Sequence, residues 1–492
     1  MTANSATATA GGIEVRVATE ADVEGMQRVF VDTYADDYPY KHFFESAWLK
    51  RSIYNDDILM LVAQDSATCE ILGTASIVFD IGSNTDLVGE FGRLAVHPDA
   101  RGRGLARKLM QARLSHAASR LHVALVEART AHPISQKVAL GHGFVPVGFL
   151  PQKHKLAETE SVLLLARHFG QALELRKNNP HVVPELKAIA HLSLGACGLP
   201  DDAVVDESVP AYPAGGEHSI EGLTADQFLP LLRIARGRTR KREVFGAKTL
   251  QHGFFKLSES QAQYLVAKGG IGGEVAGAIG FIQDDFEKTL KLFELVFNDE
   301  EAVLPLLQAV LQRALESETR YIEVDVGAPA TSLQRTLIQL GFVPVAYVPA
   351  MVFADTERVD VARFVYLGTS MEGHEAEVVP QASVCADLVL AEFGKHHVLP
   401  VLRDAIENLA PFEGVSPEQT ERIMAACELV RAPDGDCLFS QGDVADGLYV
   451  VLEGAFEILR HGAPLGTVEA GELLGELGAI GKGSRSATAH AR

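Results

Sequence analysis

"GEFGRLAVHPDARGRGLARKLMQ", Gly89 to Gln111, joins an apolar strand, a turn rich in glycine and arginine, and an amphipathic helix. Arg101, Gly104 and Ala106 spell R-x-x-G-x-A where the helix begins. Small residues there let the backbone close on a ligand, and the unpaired N–H groups of a first helical turn face an anion with the helix dipole behind them. A pyrophosphate fits that arrangement, with Arg101 and Arg103 adding charge at its rim. A structural glycine turn is the competing reading.

Outward from this stretch, the order is strand (IEVRVA from Ile13), helix from Ala21, three strands ending in the quoted one, its helix, the strand HVALVEAR, a short helix, and the strand SVLLLARHF. Strands alternating with amphipathic helices predict a layered α/β domain. Between the short helix and that last strand stands GFVPV, Gly143 to Val147, which recurs 198 positions later at Gly341 to Val345. Its flanks recur as well, since "HPISQKVALGHGFVPV" lies over "APATSLQRTLIQLGFVPV" with matched element lengths. Carried-over element order indicates a duplicated domain, whereas a convergent turn would repeat only the pentapeptide.

The expected organisation is a disordered tail (1–11), a first α/β domain (12–170), a helical linker (171–215) ending in "VPAYPAGGEHS", a second copy (216–370), a second helical linker (371–405), and a mostly β domain (406–492) with Gly-Asp turns. A chain of 492 residues is long enough for about three domains. Its net charge of −21 argues against nucleic-acid or anionic-membrane partners. Five scattered cysteines without C-x-x-C spacing indicate neither a disulfide framework nor a zinc site. With no signal peptide and no apolar run of membrane-spanning length, a cytoplasmic location is expected.

The motif and its setting resemble the GNAT acyltransferase superfamily over Gly12 to Gly170. That resemblance implies acetyl-CoA as co-substrate, held by Leu94, Ala95, Val96, Arg101, Gly102, Arg103, Gly104, Leu105 and Ala106, with pantetheine along Leu94–Val96 and an oxyanion donor at the Val96 N–H. An acceptor amine must lose its proton before attacking a thioester. Glu90 resembles the family's glutamate base in type and spacing; the alternative is a solvated strand-edge carboxylate. The tyrosine acid of many small-molecule members is absent, because Ala139 stands at its place in "VALGHGF", which leaves Ser135 or His142 as substitutes. Tyr38, Tyr40, Phe43 and Phe44, near Trp48, are candidates for the acceptor wall or for ordinary core.

Aligned on GFVPV, the second copy sets "NDEEA", Asn298 to Ala302, against Arg101–Gly104. Carboxylates at a helix N-terminus suit the dipole but repel a pyrophosphate. The second copy is therefore expected to keep the fold without the acyl-CoA site, in a structural or regulatory role such as forming a pseudo-dimer with the first. The basic run Arg236–Arg242 at its start reads as a solvated face or a dock for an acidic partner.

"GDCLFSQGDVADGLYVVLEGAFEI" and "AGELLGELGAIGKGSRSATAHAR" resemble the cyclic nucleotide-binding domain over Leu409 to Arg492. The resemblance implies a β-roll with turns at Gly442-Asp443 and Gly454, and a phosphate cassette of Gly475, Glu476, Leu477, Arg485, Ser486 and Ala487. In it Glu476 takes the ribose hydroxyl and Arg485 the cyclic phosphate, cyclic AMP being favoured over cyclic GMP by the "GELG…RSA" wording. The family's last strand and lid helices do not follow in the sequence given, so the domain is expected to be truncated at its C-terminus. The fold class expected is α/β (α+β): two GNAT-like mixed-sheet domains in tandem, then the β-roll. No metal is implied.

The combination resembles cyclic AMP-regulated protein lysine acetyltransferases. The function expected is cyclic-nucleotide-regulated acetyl transfer from acetyl-CoA to an amine, a protein lysine first. A small-molecule amine acceptor and a non-catalytic sensor scaffold are the alternatives.

Overall fold

The computed structural model describes residues 12–34, 44–79, 86–155, 159–223, 242–246, 262–269, 274–368, 376–408 (the backbone alone over 396–408), 414–416, 419–420, 423, 427, 430, 432–445, 447–475 and 483–492. The expected tail, most of the basic run, Tyr38, Tyr40, Phe43, Glu476 and Leu477 lie outside these residues. Two compact units divide the chain, Met1–Val389 and Leu390–Arg492.

In the first unit the first repeat runs β1 (Ile13–Val17), α1 (Val23–Tyr34), α2 (Ser46–Ile53), β2 (Ile58–Asp65), β3 (Ile71–Val78), β4 (Val88–Val96), α3 (Leu105–Ala117), β5 (Val123–Arg129), α4 (Ile134–Leu140), β6 (Val145–Lys155) and β7 (Thr159–His168). Helix α1 shows why these elements form. Val23, Met26, Val29 and Phe30 recur at helical spacing and are buried against β2 and β3, and a capping box joins Thr19 and Asp22 just ahead of it.

After β8 (His181–Val182), α5 (Lys187–Ala196) and β9 (Val204–Val205), the second repeat runs β10 (Ser219–Gly222), β11 (Val244–Phe245), β12 (Ala262–Gly269), β13 (Glu274–Asp284), β14 (Thr289–Phe297), α6 (Val303–Glu316), β15 (Tyr321–Gly327), α7 (Thr331–Gln339), β16 (Val343–Ala354) and β17 (Glu357–Leu367). The two repeats share one sheet, ordered β1-β2-β3-β4-β5-β7-β6-β16-β17-β15-β14-β13-β12-β10. Each half is the reverse of the other, as a two-fold relation between copies requires. Strand β11 alone breaks the match, pairing with β15.

The centre of that relation is the repeated pentapeptide. Each GFVPV opens a strand at the seam, β6 or β16, and the residue after each, Gly148 or Ala346, faces its counterpart across the antiparallel pair. Close approach demands glycine on one side. A Cβ at Gly148 would overlap that of Ala346 and lie 2.7 Å from the Val345 carbonyl oxygen.

Residues 171–215, expected as a linker, belong to this seam. Helix α5 packs on both β6 and β16, Ser193 donates to the Val147 carbonyl at 3.2 Å, and buried Arg176 pairs with Asp202 at 2.9 Å and Asp360 at 2.7 Å. The start of the second linker is also docked, because Gln136 donates to the Glu377 carbonyl at 2.8 Å and Val379 and Ala382 join the core under α3 and α4. From there α8 (Ser383–Asn408) runs on into the second unit.

The second unit contains β18 (Cys437–Phe439), β19 (Tyr449–Val450), β20 (Ala455–Arg460), β21 (Ala463–Glu469), β22 (Leu473–Leu474) and β23 (Thr488–Ala491). A sheet ordered β18-β23-β20-β21 and the pair β19-β22 enclose Val451, Leu474 and Ala489. This is the small, short-stranded β architecture expected of the third domain. Among the described residues no helix is long and apolar enough to cross a membrane.

Gly148→Ala should destabilise the seam by about 1–3 kcal/mol through overpacking. A drop in the urea midpoint of the purified chain checks this, and an unchanged midpoint would show that the strands separate freely at this point.

Candidate active site

Strands β4 and β5 run parallel but pair over three positions only, Val88 with Val123 through Glu90 with Leu125. Beyond Glu90 they splay. On its other edge β4 bulges against β3, because pairing passes from Ser76–Gly92 to Thr74–Ala95 and leaves Arg93 and Leu94 opposite Ala75. Arg93 takes φ 55°, the left-handed conformation such a bulge imposes on a non-glycine residue at a cost. A cleft of about 1650 Å³ opens in the splay.

His97 donates its backbone N–H to the Leu72 carbonyl at 2.9 Å. Alternation along the ladder then turns the Val96 N–H toward the cleft. At the cleft mouth Gly102 and Gly104 have φ of 78° and 77°, and Gly104 is the N-cap of α3 without a side-chain cap. A Cβ on either glycine would meet nothing within 4 Å, so the space above this turn is open. Free N–H groups, open space and exposed Arg101 together fit a pyrophosphate. Arg103 is drawn aside by Asp65 at 3.3 Å. Leu94, Ala95, Val96, Arg101, Gly102, Gly104, Leu105 and Ala106 all line the cleft.

Glu90 also lines it, with its carboxylate half-exposed and 3.9 Å from Arg93. Of the two substitutes for the absent tyrosine, only Ser135 reaches the cleft. Its Oγ is buried and lacks a partner among the described residues. His142 is instead held by the Val138 carbonyl at 2.7 Å. Arg113 lines the same cleft; it is 1% exposed, donates to the Gly92 carbonyl at 3.2 Å and lies 5.0 Å from the Phe91 ring. Burial without a carboxylate lowers its guanidinium to about 9. Phe44 and Trp48 pack into the α1–α2 core rather than the cleft wall.

The deep end of the cleft crosses the seam into the second repeat. Lys153 on β6 binds Glu127 at 2.8 Å and Glu323 at 2.7 Å; Lys291 binds Glu323 at 2.7 Å; Arg363 binds Asp325 at 2.7 Å and Glu127 at 3.3 Å. Burial disfavours the ionised form of Glu127, yet Lys153 and Arg363 outweigh it and hold the carboxyl down at about 2. Glu323 is likewise held well below the carboxylate range against its burial, by Lys153, Lys291 and Arg363.

In the second repeat the corresponding splay is filled. Where β14 leaves β15 after Leu292–Val324, β11 takes the free edge, pairing Phe245 with Asp325 and Val244 with Val326. Gly246 passes so close to Phe293 that a Cβ would overlap it, and Tyr212 bonds Glu243 behind the plug at 2.8 Å. At the helix start Asp299 already accepts the Glu301 N–H at 3.0 Å. Lys291 stands where the first repeat has Glu90, by strand register.

In the second unit Arg485 is 2% exposed, lies 4.3 Å from the Phe439 ring and donates to the Gly475 carbonyl at 3.3 Å. Gly475 has φ 87°. Arg485 and Gly475 of the expected cassette therefore meet, with Ser486 and Ala487 directly following in the chain.

Tyr34, Glu127, Lys153, His154 and the second-repeat residues Glu287, Lys291, Tyr321 and Glu323 line the cleft without having been singled out in the sequence. A signal existed: Glu127 in "VALVEAR" and Glu323 in "YIEVDVG" are carboxylates inside buried apolar strands, which need partners.

Residues 23–144 match the family described as acetyltransferase (GNAT), and residues 429–492 match the cyclic nucleotide-binding domain. The chain thus carries a GNAT acyltransferase domain and a cyclic nucleotide-binding domain. A cGMP-dependent protein kinase of Caenorhabditis elegans is 31% identical over 91 residues, 18% of this chain and 12% of that protein. An uncharacterized ABC transporter ATP-binding protein of Mycobacterium tuberculosis is 38% identical over 96 residues, 18% of this chain and 27% of that protein. The chain therefore spans only a small part of the length of these relatives. Among solved structures, a spermidine N-acetyltransferase chimera from Vibrio cholerae and human sequence aligns at 19% identity and TM-score 0.29, covering 32% of this chain and 95% of that one. A putative phosphinothricin N-acetyltransferase aligns at 18% identity and TM-score 0.29, covering 32% and 99%.

The ion network makes the fold acid-sensitive in a defined window. A carboxyl lowered by folding stabilises fully above its ordinary value of 4.5, and that contribution is lost as pH falls through the folded value of about 2. Thermal midpoints should therefore fall between those limits. In Lys153→Met, where Glu127 and Glu323 each lose one of their cations, the acid-dependent fall should be smaller and end at higher pH, on top of a loss of about 3–5 kcal/mol at neutral pH.

Proposed function

We propose that this protein transfers an acetyl group from acetyl-CoA to an amine under control of a cyclic nucleotide. The observation that carries the reading is the single open splay, with the Val96 N–H, the Gly102–Gly104 turn and Glu90 along one wall. When bound, acetyl-CoA supplies an activated acyl group. Gly102, Gly104 and Arg101 hold its pyrophosphate, and the Val96 N–H meets charge developing on the carbonyl oxygen. Glu90 takes the proton of the acceptor amine, directly or through water. Ser135 Oγ, lacking a partner and set one helical turn before Ala139, donates toward the departing sulfur in place of the absent tyrosine. The positive field of Arg113 favours the thiolate in the same place.

The second-repeat end of the cleft supports a small free amine over a protein lysine, because it is walled by buried side chains of both repeats. In the second unit Arg485 pairs with the cyclic phosphate, cyclic AMP being the ligand proposed first. Its effect on rate requires that the nucleotide bind one state of the protein better than another.

Glu90→Gln should lower kcat at least a hundredfold while leaving acetyl-CoA binding by calorimetry intact; unchanged turnover would remove Glu90 as the base. Arg485→Ala should abolish any response of the rate to cyclic AMP, and a response that persists would exclude the cassette as its source.

A further inference from the structure

The second repeat has its own splay filled by β11, yet it supplies side chains to the cleft of the first. Two of them have polar atoms that no described residue satisfies. Glu287, in the turn between β13 and β14, is 4% exposed, and Tyr321 on β15 is 1% exposed. Both line the cleft, and Glu287 Oε1 and the Tyr321 hydroxyl have no hydrogen-bond partner there. Buried polar atoms left unmatched are costly, so a pair of them on residues that line one cavity points to a ligand.

The charge at this place defines the ligand. Glu127, Glu323 and Asp325 are matched by Lys153, Lys291 and Arg363. Asp284 and Glu287 of the β13–β14 turn have no lysine or arginine partner among the described residues, and Asp284 is occupied by the Phe286 and Glu287 N–H groups, which leaves Glu287. Its one ion-pairing neighbour among the described residues is His154, 3.5 Å from Oε2 and shared with Glu127 at 3.9 Å. Oε1 thus offers a carboxylate acceptor with no partner among the described residues.

We infer that the second repeat forms the acceptor subsite, in which Glu287 binds a second cationic nitrogen of a small amine and the Tyr321 hydroxyl adds a hydrogen bond. The amine to be acylated lies toward Glu90 and the distal cation toward Glu287, so the preferred acceptor is a diamine or other amine with two cationic centres. This rests on the acyltransferase reading above and adds to it the substrate class. It also gives the plugged repeat a task, since its fold is needed to bring the β13–β14 turn to the cleft.

The test uses the full chain, acetyl-CoA, and α,ω-diaminoalkanes against monoalkylamines of matching length. Wild type should favour a diamine by about tenfold or more in kcat/KM, the scale of one charge-assisted hydrogen bond. In Glu287→Gln that preference should collapse toward unity, through KM and not kcat. Tyr321→Phe should weaken the diamine a few-fold. A wild type indifferent to the second charge, a Glu287→Gln that keeps the preference, or a lysine peptide that outcompetes every diamine equally in both proteins would each overturn the proposal. Calorimetry of the diamine in the presence of coenzyme A separates this from failure of the catalytic reading. Diamine binding weakened about tenfold by Glu287→Gln supports the subsite even without turnover, and equal binding overturns it.

Discussion

Everything in the first unit depends on the contact of β6 with β16. Gly148 faces Ala346 across it, and the absence of one Cβ lets the two repeats share a sheet. Once they do, β6 and β7 of the first repeat stand beside β16, β17 and β15 of the second, and the charged side chains of those strands are shut in together. Lys153 then has Glu127 from its own repeat and Glu323 from the other within 2.8 Å. Neither repeat alone has this arrangement. The seam therefore fixes both the architecture and the floor of the cleft.

Duplication with divergence explains the asymmetry. The same β4–β5 splay exists in both repeats, but in one it is open and in the other β11 fills it. Losing Arg101, Gly102 and Gly104 in favour of Asp299, Glu300 and Ala302 removed the anion cradle from the second repeat. Its remaining value is positional. It carries the turn holding Glu287 and the strands holding Tyr321 and Glu323 to a cleft that the other repeat opens.

Much of this was legible in the sequence. The Gly-Arg turn, the repeated element order and the carboxylates that replace that turn in the second copy were written locally, in spacing and residue type, whereas the pantetheine strand followed from the family resemblance alone. The acceptor end was not. Glu127 and Lys153 of the first repeat meet Glu323 of the second only because two strands pair across a seam, which no local pattern announces. Tyr34 is the last residue of α1 and reads as core until the splay is built beside it. The plug over the second splay was equally hidden: Val244–Phe245 is two residues long, too short to stand out as a strand. His142 and Ser135 were indistinguishable as donors in sequence, and the structure separates them because α4 turns Ser135 to the cleft and ties His142 to its own helix.

The central claim is that two copies of one fold make one acyl-CoA site. Native mass spectrometry of the intact chain titrated with acetyl-CoA measures this directly. The account predicts saturation at one molecule per chain, lost when Gly104 is replaced by aspartate. Binding of a second molecule, or one that survives that replacement, would contradict it.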